Sequence, residues 1–350
     1  MKANIKDFDP AELEGFISEL GEKPFRAKQI GTWIFAKSVC KFSEMTDLSL
    51  SFREKLEQSA EIKSTLTLTC EKESIDGTKK YLFELFDGNK IESVLIPEGR
   101  RNTLCISSQV GCAMGCTFCL TARVGKIRNL SCSEIVDQYL TINKLNGGSI
   151  TNIVYMGMGE PLDNLENTIR SIRVFTNSNY IGLSPKRITV STSGLVNKIK
   201  ELGEKININL SVSLNAPSDA IRSEIMPINK RFPISTLLEE CKRFPILRRK
   251  YLTFEYVIIK DLNDSIKNAN ELAKLLKGIK CKINLIPFNE ADPISYKTPP
   301  VQRVLDFQKI LSSYGLNVKI RKSRGADILG ACGQLAASYP LDKKIKEVVH

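Results

Sequence analysis

Hydrophobic and polar residues alternate with different periods along this chain of 350 residues. Up to about residue 60 the apolar positions recur at helical spacing, and Pro10 and Pro24 open two predicted helices. Residues 61–97 alternate as strands do, with a turn at Asp87-Gly-Asn. From about residue 100 short apolar runs are separated by helix-length segments. The pattern therefore predicts a helical region at 1–60, a β-hairpin-like connecting region at 61–97 and an α/β core at 98–345.

Seven apolar runs in the core predict strands at 103–106, 152–156, 187–191, 206–213, 252–259, 282–286 and 317–321. A capping box formed by Ser131 and Glu134 begins one predicted helix, which runs to Leu145. Two further predicted helices, at 265–277 and 299–314, end at Gly278 and Gly315. Strands spaced by helices favour parallel βαβ units, and a barrel or partial barrel of such units collects functional residues at the carboxyl ends of its strands.

The composition, with 42% hydrophobic and 26% charged residues, is that of an ordinary water-soluble protein. The first ten residues contain no apolar signal core, and no stretch approaches the roughly 18 apolar residues of a membrane helix. We therefore expect a cytoplasmic protein without membrane association. Ten cysteines in such a chain argue against a disulfide framework.

The net charge is +12, from 51 Lys and Arg against 39 Asp and Glu. This excess is compatible with scattered surface lysines or with an anionic partner such as nucleic acid, and charge alone does not separate the two. Each basic cluster taken alone is more typical of a solvated surface. The candidates for RNA contact are Arg100, Arg101, Lys126, Arg128, residues 248–250 and residues 319–324.

The only histidine is His350, so any chemistry must depend on cysteine sulfur, carboxylates and cofactors. That excludes Ser-His-Asp hydrolases, His-Glu-x-x-His metalloproteases and His-x-Glu zinc deaminases. Cys112, Cys116 and Cys119 form a C-x3-C-x2-C loop after the first predicted core strand. Three thiolates can bind a 4Fe-4S cluster and leave one iron open, whereas tetrahedral zinc would need a fourth ligand. The spacing matches the signature of radical S-adenosylmethionine (SAM) enzymes and predicts both cofactors.

Glycines and polar residues follow the ends of four predicted strands. Each of them taken alone is more typical of a turn or a helix cap. At the carboxyl ends of parallel strands they favour one common binding mouth. The four strand-end segments are residues 157–161, 191–194, 213–217 and 286–289.

Two cysteines outside the cysteine loop and one carboxylate also stand out. Cys332 lies in a segment with three glycines in nine residues, which predicts a mobile loop with an accessible thiol, although a buried structural cysteine is the common alternative. Cys105 lies on the first core strand, seven residues before the cluster loop. Glu92 lies on the strand pattern just upstream, where an exposed surface carboxylate is the default interpretation.

Together these segments resemble the RlmN family of dual-specificity 23S rRNA and tRNA adenine carbon-2 methyltransferases. The resemblance is dense over residues 90–340 and loose before them. It rests on the cysteine loop, Gly-Met-Gly-Glu-Pro, Ser-Thr-Ser-Gly, Met226-Pro-Ile-Asn-Lys, Asn284-Leu-Ile-Pro and Ala331-Cys-Gly-Gln-Leu. It implies a radical SAM partial (βα)6 TIM-like barrel behind a small helical RNA-binding domain. One departure is Asn215, where many members have histidine.

The resemblance also implies a role for each candidate. Cys112, Cys116 and Cys119 would hold one 4Fe-4S cluster. SAM would contact residues of the four strand-end segments, namely Gly159, Glu160, Ser191, Ser213, Leu214, Asn215 and Asn289. Cys332 would carry the methyl group, with Cys105 as its thiol partner and Glu92 as the proton acceptor.

The implied reaction is a ping-pong cycle that uses two SAM molecules in turn. The first methylates Cys332; the second yields a 5′-deoxyadenosyl radical that activates the S-methyl group for addition to adenine. Release of the product by Cys105 would leave a disulfide bond. The implied substrates are the peptidyltransferase centre of 23S rRNA and the tRNA adenosine 3′ of the anticodon. An electron donor such as flavodoxin or ferredoxin, and a monomeric state, are also expected.

Three alternatives differ in sequence features that can be compared. The carbon-8 methylating sister family shares the cluster, both extra cysteines and the fold, but Gly-Met-Gly-Glu-Pro and Arg324-Gly-Ala-Asp are more similar to the carbon-2 group. A methylthiotransferase would need three further N-terminal cysteines, and only Cys40 and Cys70 precede Cys105. An iron–sulfur RNA-binding or electron-transfer protein without catalysis would need neither a SAM site nor the Cys105 and Cys332 pair.

Overall fold

The computed structural model describes residues 2–335. His350 and the last part of the predicted core, residues 336–345, lie outside the described residues. The N-terminal region contains β1 (Ala3–Asn4), α1 (Pro10–Glu19), α2 (Phe25–Gly31), α3 (Leu50–Ser59) and β2 (Ala60–Glu61). The two helices predicted to open at the prolines are confirmed. Asp9 and Glu12 form a capping box at the start of α1, which satisfies free backbone amides there.

One ten-stranded sheet forms the centre of the molecule. Its strands are β3 (Leu66–Glu73), β4 (Lys79–Leu85), β5 (Lys90–Glu98), β6 (Arg101–Cys105), β9 (Asn152–Tyr155), β10 (Ile188–Thr192), β11 (Asn209–Ser213), β12 (Leu252–Ile258), β13 (Cys281–Pro287) and β14 (Asn317–Ile320), with the short pair β7 (Gln109–Val110) and β8 (Arg128–Asn129) outside it. All seven predicted core strands are present, with boundaries shifted by no more than three residues.

Seven of these strands run parallel, in the order β6, β9, β10, β11, β12, β13 and β14. The helices that connect them are α4 (Leu120–Val124), α5 (Cys132–Leu145), α6 (Leu165–Thr176), α7 (Val196–Lys205), α8 (Asp219–Ile225), α9 (Ile234–Arg243), α10 (Ile266–Leu276) and α11 (Val301–Ser313). Six successive helical crossovers thus confirm the α/β fold class with a partial (βα)6 barrel. The capping box of Ser131 and Glu134 begins α5 as predicted.

The strands of the connecting region extend the same sheet. β5 pairs antiparallel with β6 from Val94 opposite Cys105 to Glu98 opposite Arg101, and β4 and β3 follow outward. Helix α5 covers one face of β5, where Ser93 Oγ donates a 2.8 Å hydrogen bond to Gln138 Oε1. These strands therefore share the core of the barrel.

Ion pairs join the N-terminal helical region to the barrel helices. The ammonium group of Lys6 contacts Asp137 of α5 at 2.6 Å, with both side chains at least nine-tenths buried. Asp9, at the start of α1, accepts a bond from Arg173 of α6 at 2.6 Å. Within residues 2–335 no helix has the length and apolar character required to cross a membrane.

Candidate active site

A cavity opens at the carboxyl ends of the parallel strands, where the βα loops meet. The volume available to the centres of water-sized molecules within it is about 170 Å³. Of the predicted residues, it is lined by Cys112, Cys116, Cys119, Gly159, Glu160, Ser191, Ser213, Asn215, Asn289 and Cys332. The cavity lining thus includes the three cysteines of the loop and residues from each of the four strand-end segments.

The cysteine loop lies between β7 and α4 and closes tightly on itself. Gly111, one residue before Cys112, has φ 72°, and a Cβ there would lie 1.7 Å from the carbonyl oxygen of Gly125. Only glycine fits this position, because the left-handed backbone and the contact both exclude a side chain. The amide of Cys119 donates to the carbonyl of Cys116, which fixes the second half of the loop.

The chemistry of the three thiols fits an iron–sulfur cluster. Burial raises the pKa of Cys112 to about 12 and that of Cys116 well above its usual value, and the neighbouring cysteines raise both further. Positively charged irons would offset these costs, since they favour thiolates. Among the described residues no three His, Cys, Asp or Glu side chains converge on a point that could hold one metal ion. In a 4Fe-4S cluster each cysteine thiolate binds a separate iron.

Gly159 and Glu160 lie in the wall of the cavity next to the cysteine loop. Gly159 has φ 97°, and a Cβ there would lie 2.5 Å from the Cβ of Gln109. The Glu160 carboxylate is buried and accepts bonds from the amides of Leu162 at 3.1 Å and Ser193 at 2.7 Å. Burial raises its pKa, and these bonds oppose the shift. Glu160 thus joins the loops after β9 and β10.

The structure separates the three predicted SAM contacts that follow β11. Ser213 lines the cavity, but Leu214 is completely buried in the hydrophobic core and is absent from the described lining. The reason is the alternation of side chains across the sheet, which turns Leu214 to the opposite face. Asn215 lines the cavity with φ 58°, a backbone conformation that asparagine tolerates. Its Oδ1 accepts from the Val257 amide at 2.8 Å and its Nδ2 donates to the Met226 sulfur at 3.2 Å.

Arg222 on α8 is a buried residue that the sequence interpretation missed. Its guanidinium group donates to the carbonyl oxygens of Ser193 at 2.6 Å and of Ser213 and Leu214 at 3.0 Å each, and to Asn229 Oδ1 at 3.0 Å. Burial lowers its pKa to about 10. Arg222 therefore joins the ends of β10 and β11 beneath the cavity, and no spacing in the sequence indicates this role.

Replacing Arg222 with Met should lower the free energy of unfolding by about 3 kcal/mol, because buried carbonyl oxygens lose their charged donor. Urea denaturation of the two proteins measures the difference. Arg243→Met is a matched control, since Arg243 is largely exposed and its pair with Glu240 is long, at 3.7 Å. We expect that change to cost less than about 0.5 kcal/mol. Equal costs for the two variants would contradict a bracing role for Arg222.

Cys332 is exposed to the cavity on a loop that is hydrogen-bonded to the cluster loop. The Leu120 amide donates to the Gly333 carbonyl at 2.8 Å, and Asn289 Nδ2 donates to the Cys332 carbonyl at 3.4 Å. Residue Cys332 is thus exposed, as predicted, and these two hydrogen bonds anchor its loop. The surrounding protein raises the pKa of Cys332 by desolvation, and Arg321 acts in the opposite direction.

Cys105 and Glu92 lie on one face of the sheet. Val94 pairs with Cys105, so Glu92, two residues earlier on β5, points to the same side. Burial raises the pKa of Cys105 to about 12, and the nearby Cys332 adds to the shift. Glu92 is buried and forms an ion pair with Lys80 at 3.0 Å, so the default of an exposed carboxylate is wrong. Neither residue belongs to the described lining of the cavity.

The basic clusters divide between the two ends of the barrel. Lys322 follows the carboxyl end of β14, beside Arg321 in the cavity wall, and Lys126 follows the cluster loop. Residues 248–250 precede β12, and Arg100 precedes β6, so these candidates lie at the amino ends of the strands, opposite the cavity. Parallel strand direction imposes this separation, and the second group is unsuited to contact a base in the cavity.

Comparisons with known proteins agree with this geometry. The model of the ribosomal RNA large subunit methyltransferase N-terminal domain matches residues 3–62, and the radical SAM superfamily model matches residues 106–276. A crystal structure of a radical SAM methyltransferase from Sphaerobacter thermophilus has a TM-score of 0.87 and 40% identity, covering 96% of this chain and 99% of that chain.

Two curated relatives extend the similarity over the full length. The chain is 47% identical to the dual-specificity RNA methyltransferase RlmN of Geotalea uraniireducens, with 99% of both chains covered. It is 46% identical to the protein of the same name from Campylobacter lari, covering 95% of this chain and 97% of that one. Fold and site together define a radical SAM protein, with a 4Fe-4S cluster and SAM as cofactors. Within that class, the chain belongs to the RlmN family.

Proposed function

We propose that this protein methylates carbon 2 of adenine in RNA, at the peptidyltransferase centre of 23S rRNA and at the tRNA adenosine 3′ of the anticodon. The observation that carries the proposal is one cavity that contains both the three cluster cysteines and the exposed thiol of Cys332. A radical SAM enzyme without a methyl-carrying residue would have no use for that thiol. Membership of the RlmN family supports the same activity.

Cys112, Cys116 and Cys119 would hold one 4Fe-4S cluster, which together with bound SAM supplies a radical able to take a hydrogen atom from a methyl group. Such chemistry is required because carbon 2 of adenine is not nucleophilic enough to attack SAM directly. The protein's own part is to position the methyl group and to exclude water. We expect two SAM molecules per turnover, one for each stage.

Cys332 would first act as a nucleophile. Its thiolate attacks the methyl carbon of SAM, so that a carbon–sulfur bond forms to Cys332 and the sulfonium bond breaks. After the S-methyl group has lost one hydrogen atom, its carbon bonds to carbon 2 of adenine. The adduct then carries an unpaired electron, so it must lose one electron, which the cluster would accept, together with the ring proton, which a base takes. Attack of the Cys105 thiolate on the sulfur of Cys332 breaks the sulfur–carbon bond to RNA and leaves a disulfide, which must be reduced before the next cycle. The released carbon takes a proton, which completes the methyl group.

Glu92 is the proposed base, and Lys80 would connect it to the Cys332 loop. The Lys80 ammonium group contacts Glu92 at 3.0 Å and donates to the Leu329 carbonyl at 3.3 Å. Leu329 lies three residues before Cys332, on the same loop. A shift of this loop on RNA binding would therefore act on Glu92 through Lys80. We further expect a flavodoxin- or ferredoxin-type electron donor, a monomer and a cytoplasmic location.

Nucleoside mass spectrometry of rRNA and tRNA from cells that lack the gene tests the proposed function. Both RNAs should lose 2-methyladenosine, and the intact gene should restore it. Loss of 8-methyladenosine instead would assign the protein to the sister activity. Unchanged nucleosides in both RNAs would contradict the proposal.

The position of Lys322 predicts a salt-dependent contact with RNA. Lys322→Glu should weaken RNA binding and reduce the slope of log affinity against log salt by about 1, because one phosphate contact is lost. Arg249→Glu is the matched control, since Arg249 is exposed at the opposite end of the barrel. Filter binding over a salt series measures both. A larger effect of Arg249→Glu would place the RNA at the other end of the molecule.

A further inference from the structure

Glu255 on β12 faces the cavity at the level of a predicted SAM contact. The sheet register places Ser213 of β11 and Asn284 of β13 directly beside Glu255. Neighbouring residues of parallel strands point to the same face, so Glu255 and Ser213 are side by side in the cavity wall. The structure includes both in the lining, and Glu255 is only 6% exposed.

The two carboxylate oxygens of Glu255 differ in their partners. Oε1 accepts hydrogen bonds from Ser211 Oγ at 2.7 Å and from Asn284 Nδ2 at 2.9 Å. Oε2 is buried and has no hydrogen-bond partner within residues 2–335. Such an oxygen is costly to bury unless a donor satisfies it. Ser211 and Asn284 fix the carboxylate, so Oε2 is a positioned acceptor for a donor on the molecule that fills the cavity.

We propose that Glu255 binds SAM, and that Oε2 accepts a hydrogen bond from a ribose hydroxyl group. Carboxylates are well suited to this contact, as in dinucleotide-binding sites where an acidic residue binds the ribose hydroxyl. Ser213, the neighbour of Glu255, is itself a predicted SAM contact. The inference rests on the proposed function to the extent that SAM occupies this cavity. It assigns the nucleoside half of SAM to β11 and β12.

SAM affinity of the anaerobically reconstituted protein tests this contact. Glu255→Gln keeps the size of the side chain and the oxygen that Ser211 and Asn284 bind, but places a donor where Oε2 was. Equilibrium dialysis should show SAM binding at least about tenfold weaker than in the unmodified protein, because a charge-assisted hydrogen bond is lost. SAM analogues without the 2′- or the 3′-hydroxyl group identify the partner. The unmodified protein should bind one of these analogues about tenfold more weakly than SAM. Replacing Glu255 with Gln should lower the affinity for that same analogue by less than twofold, because the hydrogen bond is already absent.

Glu204→Gln is the matched control, because Glu204 is an exposed residue of α7 whose pair with Lys200 is long, at 3.9 Å. Iron content and melting temperature establish that each variant is folded and loaded. Equal affinities of the unmodified protein for SAM and both deoxy analogues would overturn the proposal without any variant. Unchanged SAM affinity in Glu255→Gln, with RNA affinity reduced instead, would also overturn it and place Oε2 against the RNA base. Absence of SAM binding by the unmodified protein would overturn the proposed function as well.

Discussion

A Cys105→Ala enzyme should accumulate a covalent protein–RNA adduct through Cys332, whereas Cys332→Ala should form neither adduct nor methylated protein. In the proposed mechanism, methyl transfer and addition to adenine require only Cys332, which is exposed and lines the cavity. Release requires a second thiol to attack its sulfur, and Cys105 is the buried cysteine whose pKa the nearby Cys332 raises. Denaturing gels show the adduct, and peptide mass spectrometry locates it. Both variants should lose at least about a thousandfold in turnover, as nucleophile removal commonly does.

Cys281→Ala is the matched control for that experiment. Cys281 is as buried as Cys105 and lies on the same sheet, but at the amino end of β13, away from the cavity. It should turn over normally and form no adduct. Normal turnover of Cys105→Ala, or an adduct that persists in Cys332→Ala, would contradict the proposed mechanism.

Cys116→Ala should abolish the cluster and all SAM cleavage. Unmodified protein should hold about four irons per chain after anaerobic reconstitution. Loss of Cys116 leaves two thiols of the loop, too few to retain a cluster with one open iron. Iron and sulfide analysis, together with detection of 5′-deoxyadenosine under reducing conditions, measures both effects.

Cys40→Ala supplies the control for cysteine removal, since Cys40 is exposed on the N-terminal region and remote in sequence from the loop. It should keep its irons and its SAM cleavage. A Cys116→Ala protein that retains a SAM-cleaving cluster would refute the assignment of the three ligands.

Much of the fold follows from periodicity. The apolar run at 252–259 becomes β12, and the capping box at Ser131 begins α5, because both signals depend on residues close in sequence. The cysteine loop is equally local. Its three cysteines lie within eight residues, so their spacing alone indicates the proposed chemistry.

Other features depend on register and are invisible in a local pattern. Glu92 is buried because β5 has a neighbouring strand on each side and because Lys80 of β4 forms an ion pair with its carboxylate. These contacts join residues of different strands. Leu214 directly follows the polar Ser213 at the end of β11, yet its side chain lies in the hydrophobic core. Arg222 and Glu255 resemble surface residues of a helix and a strand, and only the assembled sheet shows the carbonyl oxygens and the cavity that they face.

The central claim is that the methyl group reaches carbon 2 of adenine through Cys332. The most direct measurement is nucleoside mass spectrometry of unmethylated rRNA and tRNA after reaction with SAM whose methyl group carries three deuterium atoms. A methyl group that passes through Cys332 loses one of them before it joins the base. We predict 2-methyladenosine with two deuterium atoms retained in the new methyl group. Retention of all three, or a methyl group on another ring atom, would contradict the claim.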